Sequence, residues 1–98
     1  MAMKTLFEFK GESKLTRFVE YNGRKFRIYC EISNGDCVGY NRKCCLSIMS
    51  SDGDFKDVTD NRSIGIEMKN DYHARVGEKM RIMEAAAKGF EQFIMTIY

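Results

Sequence analysis

Four cysteines and one histidine are the residues of this chain best suited to hold a metal or act as a nucleophile: Cys30, Cys37, the adjacent Cys44 and Cys45, and His73. Zinc sites bring their ligands in closely spaced pairs so that a tight turn can wrap the ion. Here the gaps between successive cysteines are six residues, six and none. Neighbouring strand residues point to opposite faces, so Cys44 and Cys45 cannot share an ion without a bulge. The spacing predicts small buried or half-buried thiols, with Cys37 and one of the vicinal pair as redox candidates beside Arg42 and Lys43, whose charge favours thiolate. Nucleophilic catalysis needs a base within reach of the nucleophile and a third group to orient it. His73 is the sole imidazole, and it falls in the first turn of a predicted helix, where the dipole disfavours its protonated form and solvation is the ordinary fate. The acidic run from Asp52 to Asp60 invites a calcium reading, but an EF-hand counted from Asp52 would have Asp57 where glycine is required and Ser63 where glutamate is required. No dinucleotide fingerprint, phosphate loop or nucleophile elbow occurs. The expectation is a protein with no enzymatic activity, no cofactor and no metal.

A second chemistry is non-covalent. Phe18, Lys25, Arg27 and Tyr29 interleave rings with cations, an arrangement that lets bases stack while phosphates are neutralised. Aromatic and arginine side chains are equally the usual anchors of protein interfaces. Glu20 and Glu31 share the same face, and Glu20 with Lys25 or Phe18 with Arg27 also fit an ordinary ion pair and a cation–π contact. Tyr40, Arg42 and Lys43 make a further basic and aromatic cluster, suited to a phosphate or to an acidic protein surface. Near the C-terminus, Phe90, Phe93, Ile94, Ile97 and Tyr98 with Met95 widen the apolar arc of a helix beyond what one sheet face buries. That surface suits a twofold helix contact in a homodimer, or another protein.

Positioning these groups requires a sheet and a helix. Asn22-Gly23 sits between two alternating runs and supplies the positive φ angles of a type I′ turn. A two-residue loop fixes the register, so Tyr21 opposes Arg24, Glu20 opposes Lys25, Val19 opposes Phe26, Phe18 opposes Arg27 and Leu15 opposes Cys30. One face then carries Leu15, Val19, Tyr21, Phe26, Ile28, Cys30 and Ile32, with Arg17 and Arg24 as exceptions; the other carries Thr16, Phe18, Glu20, Lys25, Arg27, Tyr29 and Glu31. Leu6–Lys10 reads as a preceding strand that Gly11 ends. A loop of about ten residues is expected over 34–43, then a strand from Cys44 to Ser50, a two-residue turn at Asp52-Gly53, a return strand near Phe55–Thr59, and a short strand through Ile64, Ile66 and Met68. From a cap at Asn70 or Asp71 a helix runs to the end, with Tyr72, Val76, Met80, Met83, Ala87, Phe90, Ile94 and Ile97 on its apolar face. Glu78, Arg81, Glu84, Lys88 and Glu91 fall off that face, in water. The fold class is therefore α+β: an antiparallel sheet of about five strands (residues 3–69) and one long C-terminal helix (71–97) packed on one face, in a single domain, 1–98.

The 98 residues carry sixteen basic and fourteen acidic side chains, a formal charge of +2, which is neither a histone-like excess nor the acidity of a DNA mimic. At 11.4 kDa the chain should expose about 5,800 Å² when folded and bury a real core. No continuous apolar signal core or membrane-length run is present, so a cytoplasmic location without a membrane partner is expected. As a domain of under 100 residues without a catalytic signature, the chain resembles, in size and style, small bacteriophage and mobile-element proteins, including anti-defence and anti-CRISPR inhibitors. That resemblance rests on no single residue. It implies a viral protein in a host cytoplasm that blocks an acidic or nucleic-acid-binding surface of a larger protein or nucleoprotein complex. Direct single-stranded nucleic-acid or RNA binding through the aromatic, basic sheet face is the alternative.

Overall fold

The computed structural model describes residues 2–34, 40–61, 66–67 and 76–98, with the backbone alone at 34, 40–42, 59–61, 66–67 and 76–77. Cys37, Ile64, Met68, His73 and the expected helix start at 70–75 lie outside the described residues. Six strands, β1 (Lys4–Lys10), β2 (Lys14–Tyr21), β3 (Arg24–Asn34), β4 (Tyr40–Met49), β5 (Phe55–Asn61) and β6 (Ile66–Glu67), precede α1 (Val76–Ile97). The sheet is antiparallel and meanders in the order β1-β2-β3-β4-β5, with β6 pairing β4 beyond β5. The fold is α+β, with the C-terminal helix packed on the sheet.

The Asn22-Gly23 turn forms with positive φ at both residues, 52° and 74°, and the β2–β3 register is the one its length dictates. Leu15, Val19, Phe26, Ile28, Cys30 and Ile32 on this hairpin, with Cys44 and Leu46 of β4, bury against Met83, Ala87, Phe90 and Ile94 of α1. Each buried side chain of this size contributes about 1.5–3 kcal/mol, so this seam fixes the helix to the inner face of the sheet.

Three expectations are corrected. The ten-residue loop over 34–43 is shorter, because β3 runs on to Asn34 and β4 starts at Tyr40, pairing Glu31 with Lys43, Ile32 with Arg42 and Ser33 with Asn41. Ladder hydrogen bonds and the opposed charges of Glu31 and Lys43 outweigh the weak strand preference of these polar residues. Asp52-Gly53 is not a two-residue hairpin loop. Ser50 accepts from Gly53 N and donates from its backbone N to Asp54 O, while the single proton of its hydroxyl is within hydrogen-bond reach of both Asp52 and Asp54 O, so the connection spans 50–54. The Ser50 hydroxyl and the Asp54 N–H hold the Asp52 carboxyl below its ordinary value. Finally, Glu84 and Glu91 are not simply solvated. Both bind Arg17, which is only 8% exposed on the inner face, at 2.9 and 2.8 Å, and Glu8 of β1 closes on the same guanidinium.

Candidate functional site

With α1 on the inner face, the outer face keeps every described side chain except Ser47 at least part-exposed. Strand alternation puts Phe18 of β2 and Arg27 and Tyr29 of β3 there, and the β1 and β4 registers add Phe7 opposite Phe18 and Cys45 opposite Tyr29. Rings from three strands, β1, β2 and β5, form a row. Phe7 and Phe18 have centroids 6.1 Å apart, Phe18 meets Phe55 of β5 edge-on at 5.5 Å, and the Arg27 guanidinium lies over Phe55 at 5.2 Å. Such aromatic and cation–π contacts preorganise the side chains before any partner arrives.

Beside this row lies a hollow of about 440 Å³ lined by Thr16, Phe18, Arg27, Tyr29, Lys43, Cys45 and Asp57. Its floor is a chain of hydrogen bonds: Arg27 Nη2 donates to Ser47 Oγ at 3.4 Å, Ser47 Oγ donates to Asp57 Oδ1 at 2.9 Å, and Cys45 Sγ donates to the same oxygen at 3.1 Å. Burial, with the charge and hydrogen bond of Glu31, raises the Tyr29 phenol above its ordinary value, so it stays a neutral donor at neutral pH. The hollow thus offers aromatic walls, two cations and one internally bonded carboxylate, which suits recognition of a polar or anionic protrusion.

Of the residues singled out in the sequence, Phe18, Arg27, Tyr29 and Lys43 converge on this hollow. Lys25 shares the outer face but stands exposed beside the turn, opposite Glu20. Tyr40 and Arg42 pair with Asn34 and Ile32 in the β3–β4 ladder; their side chains lie outside the described residues. Phe7, Phe55, Cys45, Ser47 and Asp57 were not anticipated at the site. Phe7, Cys45 and Ser47 take this face from the regular registers to Phe18, Tyr29 and Arg27, whereas Phe55 and Asp57 reach it across a β4–β5 pairing that shifts between Leu46 and Ser47, and alternation alone does not reveal a bulge.

The expected helix interface divides. Phe90 and Ile94 are buried in the protein's own core, because their spacing from Met83 and Ala87 continues the inward stripe, so neither is free for a partner. Tyr98 packs edge-on against Phe26 at 5.1 Å beneath Arg24, and its carbonyl accepts from Asn22 Nδ2 at 2.8 Å. Phe93, Met95 and Ile97 remain exposed. Among the described residues no three His, Cys, Asp or Glu side chains gather as a metal site, and no described helix is long and apolar enough to cross a membrane. No family model, no curated protein and no solved structure matches this chain.

Proposed function

We propose that this is a non-enzymatic binding protein that occupies a surface of a larger protein or nucleoprotein complex through the outer face of its sheet. It would act in a host cytoplasm, as an anti-defence inhibitor of the kind encoded by phages and mobile elements. The observation that carries the reading is the uncovered row Phe7–Phe18–Phe55 with Arg27 over it and the Tyr29–Lys43 hollow alongside. Rings and arginine held in place on a rigid sheet are what interface anchors require. The net charge of +2 favours capping an acidic or nucleic-acid-binding surface over imitating DNA.

A tagged pull-down from host lysate, run with and without nuclease, tests it. The expected result is a protein partner retained after nuclease and lost, by at least tenfold in affinity, in the Lys25→Glu and Arg27→Glu double variant, whose changes lie on the outer face. Unchanged affinity removes this face from the function. A second reading, single-stranded nucleic acid stacked on the same rings, is favoured by the 59% exposure of Phe7 beside Phe18. Recovery that collapses with nuclease and releases RNA or DNA would establish it instead.

A further inference from the structure

β1 is the edge strand of the sheet, and all seven of its residues are exposed. It carries large apolar side chains at the surface, Leu6, Phe7 and Phe9, with Phe9 at 53%. Among the described residues no strand pairs with its outer edge. An edge of this length with bulky apolar residues invites another strand unless something blunts it.

Which backbone groups face outward follows from the hairpin. A two-residue turn makes Tyr21 and Arg24 a hydrogen-bonded pair, and in an antiparallel ladder such pairs alternate with non-bonded ones. With the observed register, residues 15, 17, 19 and 21 of β2 therefore bond to β3, and 14, 16, 18 and 20 turn toward β1. Their partners Phe7 and Phe9 turn inward, consistent with Gly11 N donating to Lys14 O at 2.8 Å. Glu8 and Lys10 are left with their N–H and C=O groups aimed off the sheet.

We infer that this edge pairs antiparallel with β1 of a second copy, with the two Phe9 residues facing each other on the twofold axis. Charge chooses the register. Centring the axis on Glu8 or on Lys10 sets like charges directly opposite, which is destabilising. Centring it on Phe7 runs the bulge at Leu6 into the partner strand. Centring it on Phe9 places Glu8 against Lys10 of the second copy twice over, in the narrow pairs that their outward groups require. Each Phe7 then faces Gly11 of the other copy, over which that copy's own Phe9 ring lies, 3.1 Å from where a Cβ would stand, so ring meets ring at this pair. The axis is normal to the sheet, so both outer faces lie on the same side and the two aromatic rows join across the seam. The proposal therefore goes beyond the binding role by making the binding surface twofold.

Sedimentation equilibrium of the full chain over a concentration series up to about 1 mM, the limit of a specific weak contact, tests it. The expected result is a rise from 11.4 kDa to twice that mass. Lys10→Pro removes an outward N–H while leaving the β1–β2 ladder its bonds, so it should stay monomeric with an unchanged circular dichroism spectrum. Independently, Phe9→Cys should give a covalent dimer on oxidation with the two engineered thiols joined, because non-bonded pairs have Cα atoms about 4.5 Å apart, within disulfide range. A constant monomer mass overturns the proposal and leaves the edge to an extended segment of another protein. So does a dimer that gives no such cross-link, or one that is abolished by Phe93→Asp, which would put the contact at the helix end.

Discussion

Arg17 shows how one charged residue can be right on the core side of a sheet. Alternation places it between Leu15 and Val19, facing the helix, and the structure keeps it there because three carboxylates surround its five donors. Its Nε bonds Glu8, its Nη1 bonds Glu91 at 2.8 Å and its Nη2 bonds both oxygens of Glu84 at 2.9 Å. Burial alone would lower the guanidinium pKa, and the hydrogen bonds it donates to Glu84, Glu8 and Glu91 more than offset it, so the net shift is upward. Removing such a centre strands its partners. Arg17→Ala should therefore destabilise the protein by about 2–4 kcal/mol in urea unfolding, below the full buried-pair value because the glutamates remain part-exposed. Arg17→Lys should recover less than half of that, since an ammonium cannot serve three directions as a planar fork does; full recovery would mean that packing of the stem alone matters. The sequence marks Arg17 as an exception to an apolar row, and Glu84 and Glu91 sit seven residues apart, hence on one helix stripe. The link between these facts needed the helix azimuth on the sheet, which periodicity leaves open by about one residue's rotation, roughly 100°.

At the scale of elements, turns with demanding backbone geometry were legible and extensions of strands were not. Asn22-Gly23 allows one short hairpin, so the register of eight residue pairs between β2 and β3 follows from two residues. Polar residues 40–43 look like loop because strand preference there comes from the partner strand, a long-range fact that the local sequence does not carry. The same reason hid half of the candidate site: Phe18, Arg27 and Tyr29 could be read from the hairpin, whereas Phe55 and Asp57 arrive through a bulged β4–β5 pairing. Two glycines isolate backbone conformation from packing, because a Cβ at either Gly23 or Gly89 meets nothing within 4 Å. Gly23 sits at φ 74°, where an L side chain is strained, so Gly23→Ala should cost about 1 kcal/mol. Gly89 lies within α1, so Gly89→Ala should stabilise by about 0.5–1 kcal/mol. Thermal midpoints shifting in opposite directions confirm the backbone account; shifts of the same sign would show that an unseen contact dominates at one site.

The whole molecule is longer than its chain length demands, with a radius of gyration of 14.3 Å and extents of 45 × 22 × 20 Å against about 12.6 Å for a compact domain of this size. Among the described residues a six-strand sheet carries a single helix on one face, and the joint between the two layers is correspondingly narrow. Along β2 and β3 that joint is apolar. Toward β1 it is ionic, where Glu84 of the helix bridges Arg17 at 2.9 Å and Lys10 at 2.8 Å. Burial opposes ionisation of the Glu84 carboxyl, but Lys10 and Arg17 prevail and hold its pKa below the ordinary 4.5. A folded-state pKa below the unfolded one means that the unfolded chain takes up the proton first as pH falls. The contribution of Glu84 is therefore complete above about 4.5 and is lost as pH drops through its depressed folded value. Urea midpoints should be flat from neutral pH down to about 5 and then decline, with the sheet-to-helix joint weakening first on the β1 side. Glu84→Gln cannot titrate, so it should start from a lower plateau and decline less steeply. A variant that falls in parallel with the parent protein would place the acid sensitivity elsewhere and leave the seam between the layers held by its apolar side chains alone.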